Sequence, residues 1–179
     1  VYTTSVTVQE ATVDAGGPYA GNQYTPILLT GSSNMSGFYE WDLDNDGQYD
    51  DGVGESIFFP ADSLGVFNVG LRVTGPLTRT STTTVLVDPA TIDTGGPYFG
   101  VVGTMIPLTA TSTINGPFEW DFDNDGQYDD AEGSNVNFEP TSTGVFTIGL
   151  RVNGPGGLID ATSVTVSSST APTAAITGP

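Results

Sequence analysis

The 179-residue chain contains no cysteine, no histidine and no lysine. Without cysteine there is neither a disulfide to staple the fold nor a thiol to react. Without histidine the usual neutral-pH general base and the commonest transition-metal ligand are gone, which excludes Ser-His-Asp and Cys-His catalysis. Without lysine there is no Schiff-base amine and no Lys–Asn isopeptide crosslink. Positive charge is nearly absent too. Arg72, Arg79 and Arg151 stand against 21 acids, for a net charge of −18. Such a surface repels phosphate backbones and anionic lipid, so no nucleic-acid partner is expected. No uninterrupted apolar run reaches about 18 residues, so no membrane insertion is expected either.

What is present is a folded composition. Hydrophobic residues make up 37%, including two Trp, nine Phe and seven Tyr, too many for a disordered acidic chain. Val1 is not an initiator methionine, and the chain reads as a mature or excised piece. Thr, Val, Gly and Pro dominate, with Gly-Pro pairs at Gly75-Pro76, Gly116-Pro117 and Gly154-Pro155, so helices find no support.

One internal offset organises the chain. Gly16-Gly17-Pro18-Tyr19 returns as Gly95-Gly96-Pro97-Tyr98, and Asp42, Gly65 and Arg72 return as Asp121, Gly144 and Arg151, each at a shift of 79 with no gap. Residues 11–89 form repeat 1 and residues 90–168 repeat 2. Residues 1–10 resemble the last strand of a preceding repeat, and 169–179 a linker with the start of a third.

Comparing the copies separates core from surface. Tyr39-Glu40-Trp41-Asp42-Leu43 alternates large residues with acids, as does Phe118-Glu119-Trp120-Asp121-Phe122. Ile57 and Phe59 match Val136 and Phe138, while Phe58 between them matches Asn137 and belongs outside. Ile27 and Leu29 match Ile106 and Leu108, whereas Leu28 matches Pro107, a residue confined to edges. Phe67, Val69, Leu71 and Val73 define one strand face, and Val85 and Val87 a final strand. Arg72 and Arg151 alternate with that core face and should turn outward toward Glu40 and Glu119. Short strands between turn clusters predict a β-sandwich in each repeat, with Trp41 and Trp120 on a central strand.

The Gly-Gly-Pro-Tyr opening, the Tyr39-Glu40-Trp41-Asp42 strand and the run from Gly65 to Val73 resemble the PKD (polycystic kidney disease) repeats, over nearly the whole of both copies. The resemblance implies an all-β fold of two tandem immunoglobulin-like sandwiches, found mostly in cell-surface and secreted proteins and generally without catalytic activity. One departure is plain. The family usually continues Gly-Asp-Gly after Trp-Asp-aromatic, whereas this chain has Asp44-Asn45-Asp46-Gly47.

That departure carries the candidate site. Residues 40–51 and 119–130 are identical but for Leu43 and Phe122. Asp42, Asp44 and Asp46, then Gly47 and Asp50, reproduce the first nine positions of an EF-hand loop, in which alternate side chains converge on one ion and the glycine permits a sharp turn. Gln48 would contribute its backbone carbonyl, and Tyr49 takes the slot of the residue that anchors the loop. The twelfth position, normally a bidentate Glu, is Val53. Asp51 or Glu55 could complete the shell. In repeat 2 the corresponding set is Asp121, Asp123, Asp125, Gln127 and Asp129, completed by Asp130 or Glu132. Five carboxylates within ten residues repel one another, by about 1 kcal/mol per pair 4 Å apart even in bulk water. One Ca²⁺ per repeat is therefore expected, in preference to Mg²⁺, which demands a stricter octahedron.

Asn34-Met35-Ser36 fits a glycosylation sequon that repeat 2 lacks. Catalysis by the carboxylates is not expected, since the same acids occur twice on small domains with no evident cleft. The sequence thus reads as a calcium-stabilised structural unit of a long extracellular surface filament, adhesin stalk or matrix protein. Neighbouring repeats or subunits would pack head-to-tail. A prokaryotic surface fits calcium used in place of disulfides. The alternative is an accessory module of a secreted hydrolase that binds polysaccharide or protein. For that role Phe38 and Phe58 are the outward aromatics, and repeat 2 has Pro117 and Asn137 there.

Overall fold

The computed structural model describes residues 9–168, and every regular element among them is a β-strand. The segments expected to echo a preceding and a following repeat, residues 1–8 and 169–179, lie outside the described residues. The chain divides into two compact units, Val1–Pro89 and Ala90–Pro179.

Unit 1 contains β1 (Val13–Asp14), β2 (Tyr19–Asn22), β3 (Ile27–Thr30), β4 (Ser32–Ser33), β5 (Phe38–Asp42), β6 (Gly52–Val53), β7 (Ser56–Phe59), β8 (Gly65–Thr74) and β9 (Thr78–Asp88). Unit 2 repeats the series as β10 (Ile92–Asp93), β11 (Tyr98–Val101), β12 (Ile106–Thr109), β13 (Thr111–Ser112), β14 (Phe118–Asp121), β15 (Ala131–Glu132), β16 (Asn135–Phe138), β17 (Gly144–Val152) and β18 (Leu158–Ser167). In unit 1 the large sheet runs β2-β9-β8-β5-β6, with β2 parallel to β9, opposite the pair β3-β7 and the short pair β1-β4. Unit 2 has the equivalent order β11-β18-β17-β14-β15. This is the immunoglobulin-like sandwich the alternation predicts.

Period-2 patterning sets the core. Leu29, Trp41, Val69, Leu71, Val73 and Val85 are fully buried, with Ile57 and Phe67 half-buried against them. Each such side chain contributes about 1.5–3 kcal/mol by leaving water. Trp41 and Trp120 lie on inner strands next to the last in each sheet, and the long β8 and β17 occupy the middle instead. The reason is length: the short β6 and β15 pair outside them, so a central position falls to the strand with two full neighbours. Trp41 also has a polar task, its Nε1–H donating to the Gly54 carbonyl at 2.9 Å, as Trp120 does to Gly133 at 2.8 Å.

The Gly-Gly-Pro-Tyr opening is a structural device. The Tyr19 hydroxyl accepts the Thr30 N–H at 2.9 Å and can donate to the Ala15 or Thr30 carbonyl at 3.0 and 2.8 Å, which ties β2 to β3. Gly16 and Gly17 have φ of 71° and 77°, and a Cβ on either would collide with Tyr19. Only glycine lets the chain pass under that ring.

Candidate metal centre

Strand β5 delivers Asp42 to the rim of the sandwich immediately after the buried Trp41, and the following loop folds back over it. Asp42 is only 3% exposed and Asp121 2%, the two buried acids among the described residues. Burial of a carboxylate is costly unless its oxygens are held. Here Oδ1 accepts the Asp46 N–H at 3.2 Å and Oδ2 the Gly47 N–H at 3.0 Å. Asp44 Oδ1 accepts the same Asp46 N–H at 3.1 Å. Asp51 reaches back across the loop, its Oδ2 accepting from Leu43 N–H at 2.6 Å and Asp44 N–H at 3.3 Å. Such curling needs left-handed backbone, supplied by Asn45 (φ 59°) and Gly47 (φ 87°). Unit 2 repeats every one of these bonds around Asp121, Asp123, Asp125 and Asp130.

The loop gathers Asp42, Asp44 and Asp51 so that one carboxylate oxygen of each lies within 4.8 Å of the others, and likewise Asp121, Asp123 and Asp130. Of the two candidates left open in each repeat for the last ligand, one lies in this group. Asp51 and Asp130 join the group, whereas Glu132 sits on β15 opposite Glu119 and Glu55 lies beyond β6. Two further expected ligands in each repeat lie outside these three-carboxylate groups. Asp46 accepts from both the N–H and the side-chain amide of Gln48, at 2.7 and 3.0 Å, as Asp125 does from Gln127 at 2.7 and 3.1 Å. Asp50 and Asp129 are exposed and outside the three-carboxylate groups.

The cluster is electrostatically loaded. The Asp46 N–H lowers the Asp44 pKa, but desolvation and the charges of Asp46, Asp51 and Asp42 together raise it above its ordinary value. Asp123 is raised by desolvation and by Asp125, Asp130 and Asp121, against the hydrogen bond from Asp125. Carboxylates held together against their own repulsion, with no nitrogen or sulfur ligand in the group, fit a hard divalent cation.

Behind the loop, Tyr49 packs on Gly70, where a Cβ would come within 3.1 Å of its ring. Arg72 and Glu40, paired across β8 and β5, form the expected outward ion pair at 3.0 Å, and Arg151 and Glu119 pair at 2.7 Å. The Asn34 side chain accepts from the Thr12 N–H at 2.8 Å and donates its Nδ2 to the Glu10 carbonyl at 2.7 Å, so its amide fastens the start of the unit.

Two features escape sequence reasoning. Phe99, which replaces Ala20, is 72% exposed, so unit 2 also has an outward aromatic, one that no alternation pattern marks. And the sandwich is not without a cleft. Beside the acidic loop of unit 1 is a groove of about 790 Å³, and unit 2 has one of about 430 Å³. Grooves of this kind form where β7 and β8 separate at the sandwich end, a spacing that no single strand's sequence encodes.

No family model matches the chain, and no curated protein matches its sequence. Solved structures do match. The three N-terminal domains of the Highly Immunogenic Outer Capsid protein of bacteriophage RB49 align at 15% identity and a TM-score of 0.51, covering 88% of this chain and 59% of that one. The present chain thus spans about three fifths of that structure. Domains 4 and 5 of the S-layer protein SbsC align at 14% identity and a TM-score of 0.47, covering 91% and 100%. At 15% identity the likeness to the capsid-protein domains bears on the fold alone, and it agrees with two tandem immunoglobulin-like domains. No helix among the described residues is long and apolar enough to cross a membrane.

Proposed function

We propose that this chain is a non-catalytic, calcium-stabilised structural module of the PKD type, part of a long extracellular filament, adhesin stalk or matrix protein that packs head-to-tail with its neighbours. One observation carries the reading. The same acidic loop occurs twice, and in each unit it holds three carboxylates within 4.8 Å of one another, one of them buried. A fold that gained nothing from a cation would not keep that repulsion in both copies. Asp42, Asp44 and Asp51, with Asp121, Asp123 and Asp130, would hold the ions. The gain would be rigidity. A disulfide-free domain of about 80 residues has a thin core, and an ion at 100 times its Kd adds about 2.7 kcal/mol per site. Millimolar external calcium saturates even a site with a Kd of about 10⁻⁴ M, which favours life outside the cell. The absence of histidine, cysteine and lysine supports a role without catalysis.

The test is calorimetric titration of metal-free protein with calcium. Two sites per chain, and a fall in melting temperature on adding EDTA, are expected. Absence of binding, or melting indifferent to EDTA, would overturn the calcium reading while leaving the fold untouched.

A further inference from the structure

The two units share a fold and a loop but not their grooves. In unit 1 the groove is lined by Leu43, Asp44 and Asp51 of the acidic loop, Phe58 of β7, and Val66 and Phe67 of β8. Phe58 is 63% exposed and Val66 67%. The apolar surface continues past the groove on both sides. Phe58 stands opposite the exposed Leu28, and Val66 opposite Leu86.

In unit 2 the same place is a smaller groove, about 430 Å³, with less apolar surface. Phe122 replaces Leu43, its ring edge-on to Phe138 at 5.4 Å and 6.3 Å from Trp120, which fills space that leucine leaves empty. Leu28, Phe58 and Leu86 become Pro107, Asn137 and Thr165, while Val66 stays apolar and exposed as Val145. The sandwich therefore needs neither the wider groove nor exposed side chains at Phe58 and Leu86. Apolar residues held in water at these two positions, where the sibling copy is polar, mark a contact surface.

Charge selects the occupant. The loop carries Asp42, Asp44, Asp46, Asp50 and Asp51, so a divalent ion still leaves it net negative, and no base lines the groove. A second copy is a poor fit, since it also carries −18 and, with Arg72 and Arg151 engaged by glutamates, offers Arg79 alone as a cation. We propose that the unit 1 groove docks an extended segment of a different protein, in which apolar side chains alternate with Lys or Arg. Apolar residues would fill the space beside Leu43, Phe58 and Phe67, and cations would face the acidic loop, which stays net negative with one divalent ion bound. A groove walled by strands suits an extended backbone, and charge complementarity sets the choice of partner. The inference stands whether or not calcium occupies the loop.

The test uses the full chain, isotope-labelled for NMR, titrated in calcium with a synthetic octapeptide alternating lysine with phenylalanine and valine. A glutamate-for-lysine peptide is the control. Shifts are expected at residues 43–45, 57–60 and 66–68 and not at their counterparts 79 residues on. The glutamate peptide should bind at least about tenfold more weakly. The double variant Leu43→Phe, Phe58→Asn grafts the smaller groove of unit 2. It should keep the wild-type melting temperature and lose affinity for the lysine peptide by about tenfold or more. Equal affinity in the double variant, equal binding of both peptides, equal shifts in both units or no binding at millimolar peptide would each overturn the proposal. Self-association of the wild type that the double variant lacks would assign the groove to a second copy and overturn it as well.

Discussion

The guanidinium carbon of Arg72 lies 4.8 Å from the centroid of the Tyr49 ring while its Nε donates to Glu40 at 3.0 Å, and Arg151 does the same over Tyr128. The acidic loop is thus clamped to the outer face of the large sheet by the one aromatic it contains. A stacked cation at a partly exposed site is worth about 0.5–1 kcal/mol, and the rim ion pair under about 1. Tyr49→Phe keeps the ring and should leave the stability of unit 1 nearly unchanged. Tyr49→Ala removes both the stack and the packing on Gly70, and should cost unit 1 about 1–2 kcal/mol. It should also weaken cation binding there, with unit 2 unaffected. Denaturant unfolding with unit-resolved NMR, in calcium and in EDTA, checks all three outcomes. A Tyr49→Ala variant with wild-type stability would show that the loop holds itself.

Asp44 gives the metal reading a change of sign. Its folded pKa is raised. The stability it contributes in metal-free protein is therefore present below the ordinary carboxylate pKa and lost as pH rises through the folded value. At neutral pH without metal, ionised Asp44 works against the fold. Asp44→Asn keeps an oxygen for the Asp46 N–H but removes the charge. It should raise the melting temperature of unit 1 in EDTA and lower it in calcium, where a ligand is lost. Melting curves of wild type and variant under both conditions decide the matter. A fall in both, or no effect in calcium, would remove Asp44 from the ligand set.

Much of this architecture is legible in the repeat itself. Positions such as Leu29 and Leu108 or Val69 and Ile148, apolar in both copies, are buried, and Phe58 and Asn137, which switch class, are outside, although Val66 and Val145 are apolar in both copies and exposed. The Glu40–Arg72 pair follows from alternation plus adjacency. The site was half legible. Spacing identifies the loop, but an EF-hand template assumes a helix after the loop, which would carry the final ligand. Here a strand follows, so the chain turns early and Asp51, not a residue at position twelve, returns to the cluster. Asp46 accepts two hydrogen bonds from Gln48, local contacts with no signature in the spacing. The groove depends on how Phe122 packs against Phe138, which only the assembled sandwich reveals.

The last contrast between the copies concerns acid. In unit 2, Asp160 Oδ2 accepts from both the N–H and the hydroxyl of Thr94, each at 2.9 Å. In unit 1 the same two positions are Ser81 and Ala15, joined by one bond of 3.1 Å from the Ala15 N–H to the serine hydroxyl. Burial pushes the Asp160 pKa up, but the hydrogen bonds from Thr94 and the Ala161 N–H outweigh it and leave the pKa below its ordinary value. A carboxylate depressed in the folded state contributes stability that is present above its unfolded pKa, near 3.9, and lost as pH falls through the lower folded value. Glu40 of unit 1, held below its ordinary value by the hydrogen bond from Arg72, titrates in the same direction, so unit 2 is compared with its own graft and not with unit 1. In EDTA, unit 2 of the wild-type chain should lose more stability than unit 2 of the graft Thr94→Ala, Asp160→Ser, which installs the unit 1 pair, as pH drops below about 4. Hydrogen exchange at the Ile148 amide reports unit 2 separately. If unit 2 weakens in parallel in the two chains through that range, the Asp160 hydrogen bonds do not favour the charged form, and the contrast between the copies has another cause.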